Sequence, residues 1–287
     1  MLVEIGSGRG GMIKDWSDID FEKVYAIEPD KDFMKIFNKR LIELENKEQA
    51  FENEKADKEG REPKNIPKKN YVPIETGAED PDLKDMISDV TGMTAFFSLT
   101  FFPENKQKYV GLLNNISLLP KGGVFAGIVM EGTRTKNLLD HERVKQGVSE
   151  DESVTFVGSD IMPPTLETKT FSIEQLTLFD ESKTGIAEEL EEGSTTNRIK
   201  VEIYDEDTMV KTRDSVANVM EGEIDEIETK EYTEWLFFFD KFRTHLEKRG
   251  FRLLDEYFLD DGIKYDMLPT QSKVFSDLNR VFAFEKL

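Results

Sequence analysis

The chain has 287 residues, 38% of them hydrophobic with 21 Phe, and no Cys and only two His. That is enough for one sizeable core, and it excludes disulfides, thiolate-ligated metals and a histidine-rich metal site. The formal net charge of −21 argues against sequence-independent binding of nucleic acid through one broad basic face.

The acidity is uneven. Residues 151–250 hold 11 Lys/Arg against 25 Asp/Glu, whereas residues 101–150 hold 7 against 5. The second half therefore reads as a solvated acidic surface. A polyanion is left the glycine loop described next and the segment 101–145. No apolar stretch approaches the roughly 20 residues of a membrane span, and no basic-then-apolar leader opens the chain. A soluble, cytoplasmic protein with no membrane partner is expected.

Met1–Ile5 reads as a buried strand. Gly6-Ser7-Gly8-Arg9-Gly10-Gly11 is a glycine turn, and Met12–Trp16 resumes a helical pattern. Lys23–Ile27 is a second strand, parallel to the first and ending in Glu28-Pro29-Asp30. Phe33, Ile36, Phe37, Leu41 and Leu44 have helical spacing, and that helix runs on into the charged stretch 45–59. Prolines break the connection 61–69, whose Lys64, Lys68 and Lys69 read as a solvated tip. Tyr71–Ile74 is a third strand, followed by Glu79 and Asp80. Leu83–Val90 reads as a short helix and Met93–Leu99 as a fourth strand. A helix over Pro103–Leu119 has Pro103 in its first turn. Val124–Met130 is a fifth strand.

Thr135–Lys145 looks helical. Residues 146–200 read as an acidic insertion with short β-like runs at Val154–Val157 and Ile199–Tyr204. Trp235–Arg249 reads as an amphipathic helix stopped by Gly250, with Phe237, Phe238 and Phe239 in its core. Phe251–Phe258 and Asn279–Lys286 are closing strands. His141 and His245 fall among charges and read as surface residues. Strands alternating with helices predict a Rossmann-like α/β fold, a doubly wound parallel sheet with helices on both faces.

A glycine turn after the first strand suits a dinucleotide or S-adenosylmethionine. The spacing fits both, because Gly6-x-Gly8-x-x-Gly11 coexists with Gly6-x-Gly8-x-Gly10. Glu4 tips the balance. A carboxylate just before the turn repels a pyrophosphate and suits an ammonium and a sulfonium. Glu28, ending the second strand, is placed for ribose hydroxyls. Glu79 and Asp80 are placed for an adenine amino group.

The run Leu2-Val3-Glu4-Ile5-Gly6-Ser7-Gly8-Arg9-Gly10-Gly11, with Lys14 and Trp16, resembles the first motif of the mRNA cap guanine-N7 methyltransferases. The capping enzymes of large DNA viruses are most similar. Val24–Asp30, Phe96–Phe102, Leu118–Gly127, Glu231–Leu236 and Val281–Lys286 fit the same family in order and spacing. The resemblance implies a class I S-adenosylmethionine-dependent methyltransferase with a mostly parallel seven-stranded sheet. It would be a single domain over 1–287 that methylates N7 of the cap guanine of mRNA.

The resemblance also implies site roles. Glu4, Gly6, Ser7, Gly8, Gly10, Glu28, Glu79 and Asp80 would hold S-adenosylmethionine, with Phe96 and Phe97 lining the methyl-transfer site. Thr100, Phe101 and Glu234 would contact the guanine. A carboxylate at Glu234 accepts from guanine N1–H and N2–H₂, a pair adenine does not offer. Its rival reading is a helix-start acid favoured by the helix dipole. No general base and no metal are implied, because guanine N7 has a free lone pair and the work is alignment.

The chain departs from the family pattern at Met12, where an aspartate is usual, at Thr100-Phe101, where cellular enzymes carry His-Tyr, and at Asn279, where Tyr is common. It also begins on strand one, where the family has a preceding segment with a cofactor lysine. The expected partners are therefore capped RNA, not DNA, and an upstream capping domain or an activating subunit. Virus factories or host cytoplasm would be the location. Two alternatives remain, a methyltransferase acting on another base or a small molecule, and a non-catalytic subunit of the same fold.

A protein this acidic should hold RNA weakly when alone, with affinity falling steeply as salt rises. Filter binding of capped RNA across a salt series checks this. Tight binding at physiological salt would contradict it.

Overall fold

The computed structural model describes residues 1–19, 21–149, 152–159, 169–176, 198–203, 232–259 and 277–287. Seven strands form one sheet and four form a second. The main sheet contains β1 (Leu2–Ile5), β2 (Val24–Ile27), β3 (Tyr71–Ile74), β4 (Gly92–Phe96), β5 (Val124–Met130), β10 (Phe251–Phe258) and β11 (Asn279–Lys286), in the order β10-β11-β5-β4-β1-β2-β3. Every pair from β5 to β3 is parallel. β11 runs antiparallel to both of its neighbours. The expected mostly parallel seven-stranded sheet is the one observed. Strand order reverses between β1 and β4, where open α/β sheets leave a crevice at their carboxyl edge.

Period-two alternation decides what each face of β1 and β2 carries. Val3, Ile5, Tyr25 and Ile27 join one core with Leu112, Leu113 and Ile116 of α4 (Lys106–Ile116) and with Phe239, Phe242 and Leu246 of α6 (Phe239–Lys248). Leu2 and Val24 face the other side and pack with Trp16 of α1 (Ile13–Ile19), and Ala26 packs with Met34 and Phe37 of α2 (Lys31–Glu59). Glu4 shares that second face. β3 is an edge strand, which is why Pro73, lacking an N–H, is tolerated there.

Asp30 starts α2, its carboxylate accepting from the Asp32 and Phe33 amides, and Gly60 ends it in the left-handed conformation. The return segment is clipped back onto the helix. Arg61 pairs with Glu52 at 2.6 Å, and the Lys64 amide donates to the same carboxylate. Lys69 also pairs with Glu48 at 3.6 Å, while Lys64 and Lys68 are exposed. The short α3 covers Leu83–Met86.

The structure departs from the sequence reading at α3, which stops at Met86 instead of Val90, and around Pro103, Trp235 and His245. Pro103 lies inside a 3₁₀ turn over Leu99–Glu104. α4 begins only after it, capped by Asn105, whose side chain accepts from the Lys108 amide. The segment expected to open a helix at Trp235 is instead strand β9 (Tyr232–Trp235), and α6 starts at Phe239. The aromatic run around Trp235 suits either state, and pairing with a distant strand settles it. His245 is buried rather than on the surface, its Nδ1 3.2 Å from the Tyr109 hydroxyl; His141 is exposed.

The second sheet has order β6-β7-β8-β9, all antiparallel, with β6 Thr155–Ser159, β7 Lys169–Gln175 and β8 Arg198–Ile203. Ile173, Ile199, Val201 and Leu236 pack against Met130 of the main sheet, Leu139 of α5 (Gly132–Gln146) and Leu278. Arg143 of α5 fastens the sheet further, donating to the Ser149 and Glu152 carbonyls and to Gln175 Oε1. The strands of the segment read as an insertion thus share one sheet with Glu234 of β9.

Phe242 is fully buried, with the rings of Tyr109, Phe125, Phe237, Phe239, Phe282 and Phe284 around it at 4.9–6.4 Å. Phe242→Ala should lower stability by about 3–5 kcal/mol. Urea denaturation reads this as a lower midpoint at unchanged slope, and a shift of only a few tenths of a kcal/mol would contradict it.

Candidate cofactor and acceptor site

The glycine loop is shaped by two constraints. The Gly6 and Ser7 amides both donate to the Ile27 carbonyl, at 2.9 and 3.0 Å, which turns the chain over the end of β2. Gly6, Gly8 and Gly10 all have positive φ, and a Cβ on Gly6 would lie 2.4 Å from the Ser98 Cβ. Ser98 in turn donates from its hydroxyl to the Ile5 carbonyl at 2.8 Å, locking the end of β4 to β1. Bare backbone is thereby exposed at the crevice.

A cavity of about 320 Å³ opens there, at the small end of the range for ligand sites. Of the residues singled out from sequence, Gly6, Gly8, Glu28, Glu79, Phe96, Phe97 and Phe101 line it. Glu28 is the hub. Its Oε2 accepts from the Gly8 amide at 2.9 Å and its Oε1 from the Asp30 amide at 2.9 Å. Each oxygen keeps a second acceptor site for a ligand hydroxyl. Burial raises the Glu28 pKa, and the two amides pull it back.

Phe97 has φ +58, a strained value for a side chain of its size, held by its amide donating to the Ile128 carbonyl at 2.8 Å. That turn leaves the ring 46% exposed at the cavity wall. Phe33 and Lys108 also line the cavity and were not singled out from sequence. Phe33 sits on the helical stripe of α2 and carries the Arg9 guanidinium 4.8 Å above its ring. Lys108 is ion-paired with Glu104.

The remaining residues lie behind or beside the cavity. Ser7 is buried with its hydroxyl unpartnered. Gly10 is needed for packing, since a Cβ there would strike Ile13 and Phe37. Asp80 does not line the cavity. Its carboxylate accepts from Thr76 at 2.6 Å and from the Asp82 amide at 2.9 Å, holding its pKa down. Glu4 is 3% exposed directly beneath the loop, and its Oε2 has no partner. Burial raises its carboxyl to about 7, with the Trp16 indole pulling it down and Asp15 adding to the rise.

Glu234 reaches the same edge from β9, so it is a strand residue and not a helix-start acid. Burial raises its pKa to about 7, and the Thr100 hydroxyl beside it opposes that rise without making a well-aligned bond. Thr100 and Phe101 belong to one 3₁₀ turn, of which Phe101 and Phe102 line the cavity while Thr100, like Glu234, does not.

No protein-family model matches the chain, and no curated protein matches it in sequence. Among solved structures it is similar to the CcbJ methyltransferase from Streptomyces caelestis, with a TM-score of 0.51 and 11% identity over 99% of this chain and 82% of that one. The chain has the fold of the class I S-adenosylmethionine-dependent methyltransferases. It is also similar to an S-adenosylmethionine-dependent methyltransferase from Listeria monocytogenes (TM-score 0.47, 10% identity, 100% of this chain and 89% of that one). Similarity at the same TM-score extends to the glycopeptide N-methyltransferase MtfA solved with S-adenosylmethionine (11% identity, 100% of this chain and 86% of that one).

The raised Glu4 pKa carries a stability consequence. The folded chain keeps a proton that the unfolded chain loses near 4.5, so stability falls as pH rises from about 4.5 through about 7. Glu4→Gln should remove much of that fall, up to about 3 kcal/mol. Thermal melts at both ends of the window check it. An unchanged pH dependence in the variant would contradict it.

Proposed function

We propose that this chain binds S-adenosylmethionine in the cavity beside Glu28 and transfers its methyl group to N7 of the guanine of an RNA cap. The cofactor reading is supported by the fit of the residues to the ligand. Gly6 and Gly8 bring bare backbone to the cavity wall. Glu28 offers two acceptor oxygens for a ribose diol. Glu4, two residues before Gly6, supplies a buried carboxylate with one oxygen unpartnered, although it does not itself line the cavity.

S-adenosylmethionine supplies an electrophilic methyl on a sulfonium. The chain then has to hold the acceptor in line and keep water out. Phe96, Phe97 and Phe101 give the cavity an apolar wall suited to both tasks. The guanine N7 lone pair attacks directly, the S–CH₃ bond breaks, and its electron pair stays on sulfur. No proton has to leave.

The cap reading rests on one observation, a carboxylate at Glu234 that is largely shielded from water beside Thr100, whose 3₁₀ turn puts Phe101 and Phe102 on the cavity wall. Ionised, it accepts from guanine N1–H and N2–H₂. Because its pKa is near 7, the preference for guanine should strengthen as pH rises through neutrality.

Incubation of the chain, alone and with an upstream capping segment or activating subunit supplied, with S-adenosylmethionine and GpppN-RNA tests the proposal. It should yield m7GpppN, with Glu234→Ala reducing kcat/KM at least tenfold. Methylation of an uncapped base or a small molecule, with no competition by cap analogue, would move the acceptor elsewhere. No binding at millimolar S-adenosylmethionine would leave a non-catalytic subunit of the same fold.

A further inference from the structure

Glu4 and Trp16 present a pair of buried polar atoms that nothing else in the described structure satisfies. Glu4 Oε2 and Trp16 Nε1 are both shielded from solvent and both lack a hydrogen-bond partner. They occupy the same face of β1, in the layer formed by Leu2, Trp16 and Val24. A buried N–H beside a buried carboxylate oxygen is costly to leave unpaired, because each forfeits its interaction with water.

The surroundings leave Trp16 as the donor within reach. At the level of Glu4, β2 presents Ala26 and β4 presents Thr94, whose hydroxyl donates instead to the Val3 carbonyl at 3.4 Å. From β3 comes Tyr71, whose hydroxyl is committed to the Ile13 carbonyl at 2.6 Å. From α1 comes Asp15, which opposes ionisation of Glu4, and no cation acts on Glu4. The indole is fixed in place, packed on Phe96 with centroids 5.6 Å apart and on Phe21 at 5.9 Å. Phe96 itself lines the cavity.

We infer that Trp16 is a positioning residue, whose indole N–H closes onto the Glu4 carboxylate and holds it ionised towards the cofactor's ammonium group. Trp16 touches no cofactor atom; it acts through Glu4. The inference rests on the cofactor reading above. It also gives the tryptophan a task beyond packing, which a phenylalanine could perform as well.

The test is calorimetric titration of S-adenosylmethionine into wild type, Trp16→Phe and Glu4→Gln between about pH 6 and about pH 9. Wild-type affinity should rise through neutrality as Glu4 ionises. Loss of the donor should move that midpoint up by about one unit, so that Trp16→Phe binds about tenfold more weakly near pH 6 and converges with wild type near pH 9. Glu4→Gln should show no such midpoint. A Trp16→Phe midpoint equal to that of wild type, or a loss of affinity uniform in pH, would overturn the inference while leaving the cofactor reading intact. Absence of wild-type binding at every pH would overturn the cofactor reading and the inference with it.

If Trp16→Phe does not fold, Trp235→Phe leaves Trp16 as the sole tryptophan. Its emission should then follow a titration near pH 7 that vanishes when Glu4→Gln is added. Emission that ignores Glu4 would overturn the inference by this route.

Discussion

A carboxylate buried without a counter-charge at the centre of the sheet is the feature on which the site depends. Glu4 lies inside β1 between two parallel neighbours, under a glycine loop whose amides are pinned to the end of β2. Such a group is expensive for the folded chain alone. On the cofactor reading proposed above, a positively charged ligand would offset that cost. A pyrophosphate would find the wrong sign of charge there. Glu28, one strand over, is held by two amides and stands at the cavity wall, which suits a neutral diol.

Around that core the two sheets divide the labour. The main sheet fixes the glycine loop, Glu28 and the aromatic wall through hydrogen bonds between neighbouring strand ends, Ser98 to Ile5 and Phe97 to Ile128 among them. The second sheet carries Glu234, docked through Ile173, Ile199, Val201 and Leu236 onto Met130, Leu139 and Leu278. The segment carrying β6, β7 and β8 is thus joined in one sheet to β9, the strand that carries Glu234. Its attachment is both apolar and polar, since Arg143 of α5 bonds to Gln175 of β7 and to two carbonyls of the connection leading into β6.

Much of this was legible in the sequence where local pattern and tertiary role agree. The first strand, glycine turn and helix, the long helix through Phe33 and Leu44 into the charged stretch 45–59, and the closing strand Asn279–Lys286 all follow from spacing. What escaped depended on distant partners. β9 is a strand because β8 is there to pair with it; Tyr232–Trp235 carries no alternation that demands one. Pro103 stays in a 3₁₀ turn because Asn105 offers the better cap two residues later. His245 is buried because it continues the apolar stripe of Phe239 and Phe242 at three-residue spacing, and the charges beside it masked that stripe. At the site, Phe33 and Lys108 had no motif to flag them. Asp80 caps the turn after β3 and does not line the cavity, a placement invisible without coordinates.

The central claim is that the cavity beside Glu28 is where S-adenosylmethionine binds. Photo-crosslinking with methyl-labelled S-adenosylmethionine, followed by peptide mapping, addresses it directly. Label in the peptides containing Phe33 or Phe96–Phe102, abolished by excess S-adenosylhomocysteine, is the predicted result. Competable label confined to peptides remote from the cavity, or no competable label at all, would contradict it.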